Sequence, residues 1–179
     1  MKNSDLTRVA IVLSLLIVSA QFSVSIGSIA ISLQSLVILV IGLVLTKKQG
    51  LMVTFLYLIA GLIGLPVFAQ SMGGPHSVFL PSFGFILSFI PAVWAMASLQ
   101  ERKIKSTMQG YLQVVLLGNL IIYSLGISYM SFILNIHLEL EMSFWQIITA
   151  GLLPFIPLDI IKSLIAVRIA KQLNKQLPS

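Results

Sequence analysis

A chain of 179 residues, 58% of them hydrophobic and only 9% charged, with a mean hydropathy of +1.04, has the composition of a membrane protein rather than a water-soluble domain. The absence of cysteine removes disulfides, thiolate chemistry and cysteine metal sites, and His76 and His137 lie far apart without ligand-spaced partners, so no metal is expected. The net charge of +6 would suit nucleic acid, but the basic residues sit at the ends of apolar runs rather than on a polar face, so no nucleic-acid partner is expected.

The apolar runs are continuous and longer than barrel strands, which predicts a single all-α, polytopic integral-membrane domain over residues 1–179. After a short polar lead, the first run extends over about 9–26. Val18-Ser19-Ala20 resembles a signal-peptidase site, but apolar sequence resumes at once, so this run is expected to remain as a span. Residues 27–34 form a mild break in which Ser28 to Leu33 alternates like a strand, a segment expected to dip into the bundle as an ordered loop. Gln34 stands at its mouth, either as a ligand contact or as a helix-start residue. The second run, about 35–46, rises only about 18 Å and is too short to cross the hydrocarbon unaided.

The third run covers about 51–66 and leads into Gln70-Ser-Met-Gly-Gly-Pro-His-Ser77, rich in Gly, Pro and Ser. Gly73 and Gly74 let the backbone come close to a ligand or to another helix, or simply make a turn. The fourth run, about 80–99, opens with Pro81-Ser-Phe-Gly-Phe85. The fifth, about 108–134, carries Asn119, Tyr123, Gly126 and Tyr129 at spacings of 4, 3 and 3, along one side of a helix. Asn119 and Tyr123 are the expected wall opposite the last span, or alternatively partners in ordinary interhelical hydrogen bonds.

The sixth run, about 143–170, holds the most informative residues. Asp159 and Lys162 are three apart, so they share a helix face, inside an apolar stretch where each charge costs about 2.5–3.5 kcal/mol. Pro154 and Pro157 interrupt the helix just before them, so the following residues resemble a fresh helix start that favours a carboxylate. The pair reads as a binding site for a small polar ligand; a self-satisfied structural ion pair, or a lysine snorkelling to the surface, is the plainer reading. Ten of the eleven Lys and Arg residues fall on one side of a six-span arrangement, Lys162 being the exception. Six transmembrane helices with both termini cytoplasmic, and partly non-helical outer loops lining a pocket, are therefore expected.

Ile31-Ser-Leu-Gln34, Gly64-Leu-Pro-Val-Phe-Ala69, Gly73-Gly74, Pro81 with Gly84, Tyr123 with Gly126, and Pro154 through Lys162 together resemble the BioY family. These are the biotin-specific S components of energy-coupling factor (ECF) vitamin transporters. Departures from the family pattern fall at Ala30, where Pro is usual, at Leu158, where Gly is common, and in Leu80-Pro-Ser-Phe-Gly-Phe85, where Gly-Pro-Thr-Gly-Gly-Tyr is frequent. The last change adds bulk, either narrowing the pocket or selecting a related ligand.

The resemblance implies a subunit in a prokaryotic plasma membrane that binds biotin from the outer side and performs no chemistry. It implies partnership with an ECF transmembrane coupling protein and two ATPase subunits within the lipid bilayer, and no cofactor besides the ligand. No phosphate-binding Gly-x-x-x-x-Gly-Lys-Ser/Thr loop is present, in keeping with ATP being used by a partner. Asp159 and Lys162 are expected to meet the ureido ring or the valerate, with Gln34, Asn119, Tyr123, Gly73, Gly74, Ser82, Phe83, Gly84 and Phe85 completing the ligand site. An S component for thiamine or riboflavin is the nearest alternative. An intramembrane enzyme is disfavoured by the lack of a second intramembrane carboxylate, a His-Glu-x-x-His or a Gly-x-Ser-x-Gly motif, and a purely structural role by the polar faces of the last two spans.

Overall fold

The computed structural model describes residues 3–26, 29–101 and 107–176. Within them lie seven α-helices and a two-stranded hairpin. α1 covers Asn3–Gln21 and is followed by β1, Ser23–Ile26, which pairs antiparallel with β2, Ile29–Ser32, in the register Ser23 to Ser32. The first run expected to reach Ile26 thus leaves the helix after Gln21, because Ser23 to Ile26 alternates polar and apolar and finds a strand partner in the segment expected to be strand-like.

α2 (Gln34–Val44) and α3 (Lys47–Leu62) follow with only Leu45 and Thr46 between them. Lys47 to Gly50, which the apolar pattern leaves outside the spans, are helical because Thr46 caps the Gln49 amide while the Gln49 side chain accepts from the Thr46 amide. A loop with two 3-10 turns, Ala69–Ser71 and Pro75–Phe79, leads into α4 (Phe83–Glu101). α5 (Met108–Phe132) starts at the Thr107 cap and ends in a π-helical turn, Ile133–His137. The last apolar run is two helices, α6 (Phe144–Gly151) and α7 (Ile156–Gln176), bent by 45° at the segment containing Pro154.

By length and composition, α1, α4 and the continuous 108–137 segment are each able to cross a membrane, and a fourth crossing is made if α6 and α7 count as one broken span. α2 and α3, at 11 and 16 residues, are shorter than a full crossing. Packing brings α4 against α2, α3 and α5, and α7 against α2 and α5. One core joins Leu16, Ile38, Val53, Tyr57, Phe68, Phe83 and Val93 across α1 to α4. A second joins Leu39, Met96, Val114, Ala166 and Ala170, where two alanines let α7 lie close to α2 and α5. The start of α7 is tied to the end of the hairpin by the Lys162 bond to the Ser32 carbonyl.

Candidate functional site

Asp159 lies in the first turn of α7, where unpaired helix amides favour a negative charge, and its own amide bonds the Phe155 carbonyl at 2.8 Å. One turn on, the Lys162 ammonium stands 2.9 Å from Asp159 Oδ1. It also donates to the Ser32 carbonyl at 2.8 Å and to Ser35 Oγ at 3.0 Å, so all three of its protons are placed. Ser35 Oγ in turn donates to Asp159 Oδ1 at 3.3 Å, and the Tyr123 hydroxyl donates to Oδ2. Both charged residues are under 10% exposed. Lys162 is therefore turned inward and clamps α7 to the hairpin and the first turn of α2.

A second polar chain begins beside it. Ser32 Oγ donates to Gln34 Oε1 at 3.0 Å, the Gln34 amide donates to the Tyr57 hydroxyl, and that hydroxyl donates to the Val67 carbonyl at 2.9 Å. This fixes the amide orientation of Gln34 and ties the hairpin to the loop after α3.

These groups border a cavity of about 160 Å³. Its remaining walls are largely apolar, with five aromatic rings (Phe68, Phe83, Phe85, Phe89 and Phe155) beside Met72, Leu80, Ile86 and Ile122. Phe83 meets Phe68 edge-on at 6.1 Å, and Phe85 stacks over Phe155 at 6.2 Å. The cavity is about the size of the engineered apolar void, about 150 Å³, that takes up benzene. Unlike such a void, it carries a carboxylate and an ammonium in its lining. Flat aromatic walls with charged hydrogen-bonding groups at one side suit a small, flat, polar ring.

Among the residues expected at the site, Asp159, Lys162, Gln34, Tyr123, Ser82, Phe83 and Phe85 line this cavity. Asn119 does not: it donates to Ser163 Oγ at 3.0 Å and borders a separate groove between α5 and α7. The glycines also stand outside the lining. A Cβ on Gly73 would run into the Leu65 carbonyl, Gly74 adopts φ +99° and donates to the Gly61 carbonyl at 2.7 Å, and Gly84 lies under the Tyr129 side chain. Their smallness serves close backbone and helix packing around the cavity. Four polar residues of the lining, Ser32, Ser35, Gln70 and Ser77, went unnoticed in the sequence. Ser35 was one hydroxyl among many at a helix start, and Ser77 lay in a loop with no periodicity to mark it. Ser77 is buried, lines the cavity, and its hydroxyl has no hydrogen-bond partner.

Membrane-spanning helices arranged around a buried ion pair and an aromatic cavity define a membrane-embedded solute-binding protein. The sequence profile of the BioY family matches residues 1–179. A probable biotin transporter BioY of Pyrococcus horikoshii is 35% identical over 174 residues, covering 97% of this chain and 98% of its own. A biotin transporter BioY of Thermotoga maritima is 32% identical over 171 residues, covering 96% of each chain. The crystal structure of the S component for biotin from an ECF-type ABC transporter superposes with a TM-score of 0.88 at 29% identity, over 99% of this chain and 96% of that one. The chain belongs to the BioY family.

Proposed function

We propose that this protein is the biotin-binding S component of an ECF transporter, capturing biotin from the outer side of a prokaryotic plasma membrane. The observation that carries the reading is the Asp159–Lys162 pair beside an aromatic cavity sized for a ring, in a chain related along its length to biotin transporters. Asp159 accepts a ureido N–H, and Lys162 exchanges its bond to Ser35 or to the Ser32 carbonyl for one to the ureido oxygen, as charge-assisted bonds in a dry site. The valerate points toward the loop before α4, where the unpartnered Ser77 hydroxyl supplies a donor. Gln34, Ser82, Phe83 and Phe85 shape the walls, and Gly73, Gly74 and Gly84 act on the site through packing. Asn119 acts on it only by holding α5 to α7.

The chain crosses the membrane six times with both termini cytoplasmic, α2 and α3 forming short crossings and α6–α7 a broken one. The grouping of ten basic residues at alternate ends of the runs supports this orientation. The protein performs no chemistry of its own and needs no cofactor. A coupling protein and two ATPase subunits supply the energy, in keeping with the similar structure being an S component of an ECF-type ABC transporter. One observation favours a second reading, a related vitamin: Leu80 and Phe83 put bulky side chains into the cavity wall.

Two variants probe the contacts. Tyr123→Phe removes a donor to a charged group and weakens biotin binding by roughly tenfold, measured with tritiated biotin. Ser77→Ala removes a hydroxyl that has no protein partner, so the ligand-free protein keeps or slightly gains thermal stability while biotin affinity falls about fivefold. Unchanged affinity in Ser77→Ala takes this hydroxyl out of the site. The function itself is tested by uptake of tritiated biotin into cells that lack other biotin uptake. ATP-dependent uptake requiring a co-expressed coupling module supports the reading, and absence of uptake with a functional module overturns it.

A further inference from the structure

We propose that the lateral groove between α5 and α7 is a binding site for one anionic phospholipid, its acyl chain lying in the groove and its phosphate on Arg168, Lys171 and Lys175. This rests on the chain being an integral membrane protein and is independent of its ligand. The groove, about 840 Å³, is lined on α5 from Leu112 to Ser128, on α7 from Ile156 to Leu164, and by Phe144, Ile148 and Leu152 of α6 and the break after it. The seventeen residues from Leu112 to Ser128 rise about 24 Å, more than the about 15 Å depth of one leaflet. Its rim is apolar and open to the surroundings, Leu116 and Leu120 being 67% and 63% exposed. Its polar side chains are satisfied within the protein: Asn119 bonds Ser163, Tyr123 bonds Asp159, and Ser124 and Ser128 donate to carbonyls of their own helix.

The groove continues into a second hollow of about 490 Å³, sharing Leu164 with it and lined by Met108, Arg168, Lys171 and Lys175. On α7, residues 164, 168, 171 and 175 succeed one another at spacings of 4, 3 and 4, so the apolar groove and the cations form one stripe. No carboxylate lines the hollow, and none of the three cations forms an ion pair among the described residues. A cluster of cations at a helix end, joined to a trough as long as an acyl chain, matches a molecule with an anionic head and an apolar tail. Asp159 and Tyr123 border both the groove and the ligand cavity, so a chain in the groove also covers the lipid side of that wall.

The test is native mass spectrometry of the purified full chain after exchange into an equal mixture of phosphatidylglycerol and phosphatidylcholine. The wild type retains phosphatidylglycerol in roughly tenfold preference. Replacing all three cations (Arg168→Gln, Lys171→Gln, Lys175→Gln) removes that preference; the side chains are exposed, so the fold is kept, as circular dichroism checks. Leu116→Trp fills the trough and lowers retention of both lipids, which a site for a free anion would not show. Equal retention of the two lipids by the wild type overturns the proposal, as does an undiminished preference in the triple variant or unchanged retention in Leu116→Trp. If the triple variant keeps its lipid but no longer binds a coupling protein, the face belongs to a protein partner and the proposal falls.

Discussion

Asp159→Asn and Lys162→Met each lower stability in detergent by about 3–5 kcal/mol and weaken biotin binding at least roughly a hundredfold. The reason is the closed arrangement at the start of α7. Removing the carboxylate charge leaves a buried ammonium facing only the Ser32 carbonyl and Ser35, and removing the ammonium leaves a buried carboxylate with two hydroxyl donors. A double replacement, Asp159→Leu with Lys162→Met, removes both charges and so regains part of the stability lost in either single variant. It regains none of the binding. That split separates a ligand site from an ion pair that only fixes helix packing, for which stability and binding would recover together. Thermal unfolding and tritiated biotin binding on the three variants measure it.

Gly73→Ala lowers stability by about 1–3 kcal/mol and biotin affinity by roughly tenfold, although Gly73 does not line the cavity. The added Cβ would fall on the Leu65 carbonyl, a backbone atom that moves only if the loop before α4 moves. That loop carries Phe68 into the cavity wall and accepts the Tyr57 hydroxyl at Val67. Gly64→Ala is the control: at φ +108° the new side chain is strained by about 1 kcal/mol, yet nothing lies within 4 Å of it. Stability falls modestly there and affinity is kept. Equal losses of affinity at the two positions would show that loop strain, not displacement of the wall, is what matters.

What the sequence disclosed and what it hid follow from the range of each signal. Asp159 and Lys162 stood out because charges in an apolar run are costly, and a three-residue spacing sets their common face without further information. The face carrying Asn119, Tyr123 and Tyr129 was legible for the same reason, and Tyr123 and Tyr129 do reach across it, to Asp159 and to the Val78 carbonyl. Asn119, one turn from Tyr123, reaches Ser163 instead, because which neighbour a helix position meets depends on how α5 crosses α7. Partners 124 to 130 residues away, such as Ser35 and the Ser32 carbonyl, leave no local mark. Glycine is ambiguous in the same way: its lack of a side chain says that something comes close, and only the fold shows that at Gly73 it is the Leu65 backbone. The Thr46–Gln49 cap was present in the sequence but was masked by Lys47 and Lys48, which end the apolar run.

Equilibrium binding of tritiated biotin to the purified wild-type protein, with unlabelled biotin, thiamine and riboflavin as competitors, tests the account most directly. Saturable binding at one site, displaced by biotin and by neither other vitamin, is the result expected from a ring-sized aromatic cavity with an ion pair in its wall. Displacement by thiamine or riboflavin instead, or no saturable binding of biotin, would contradict it.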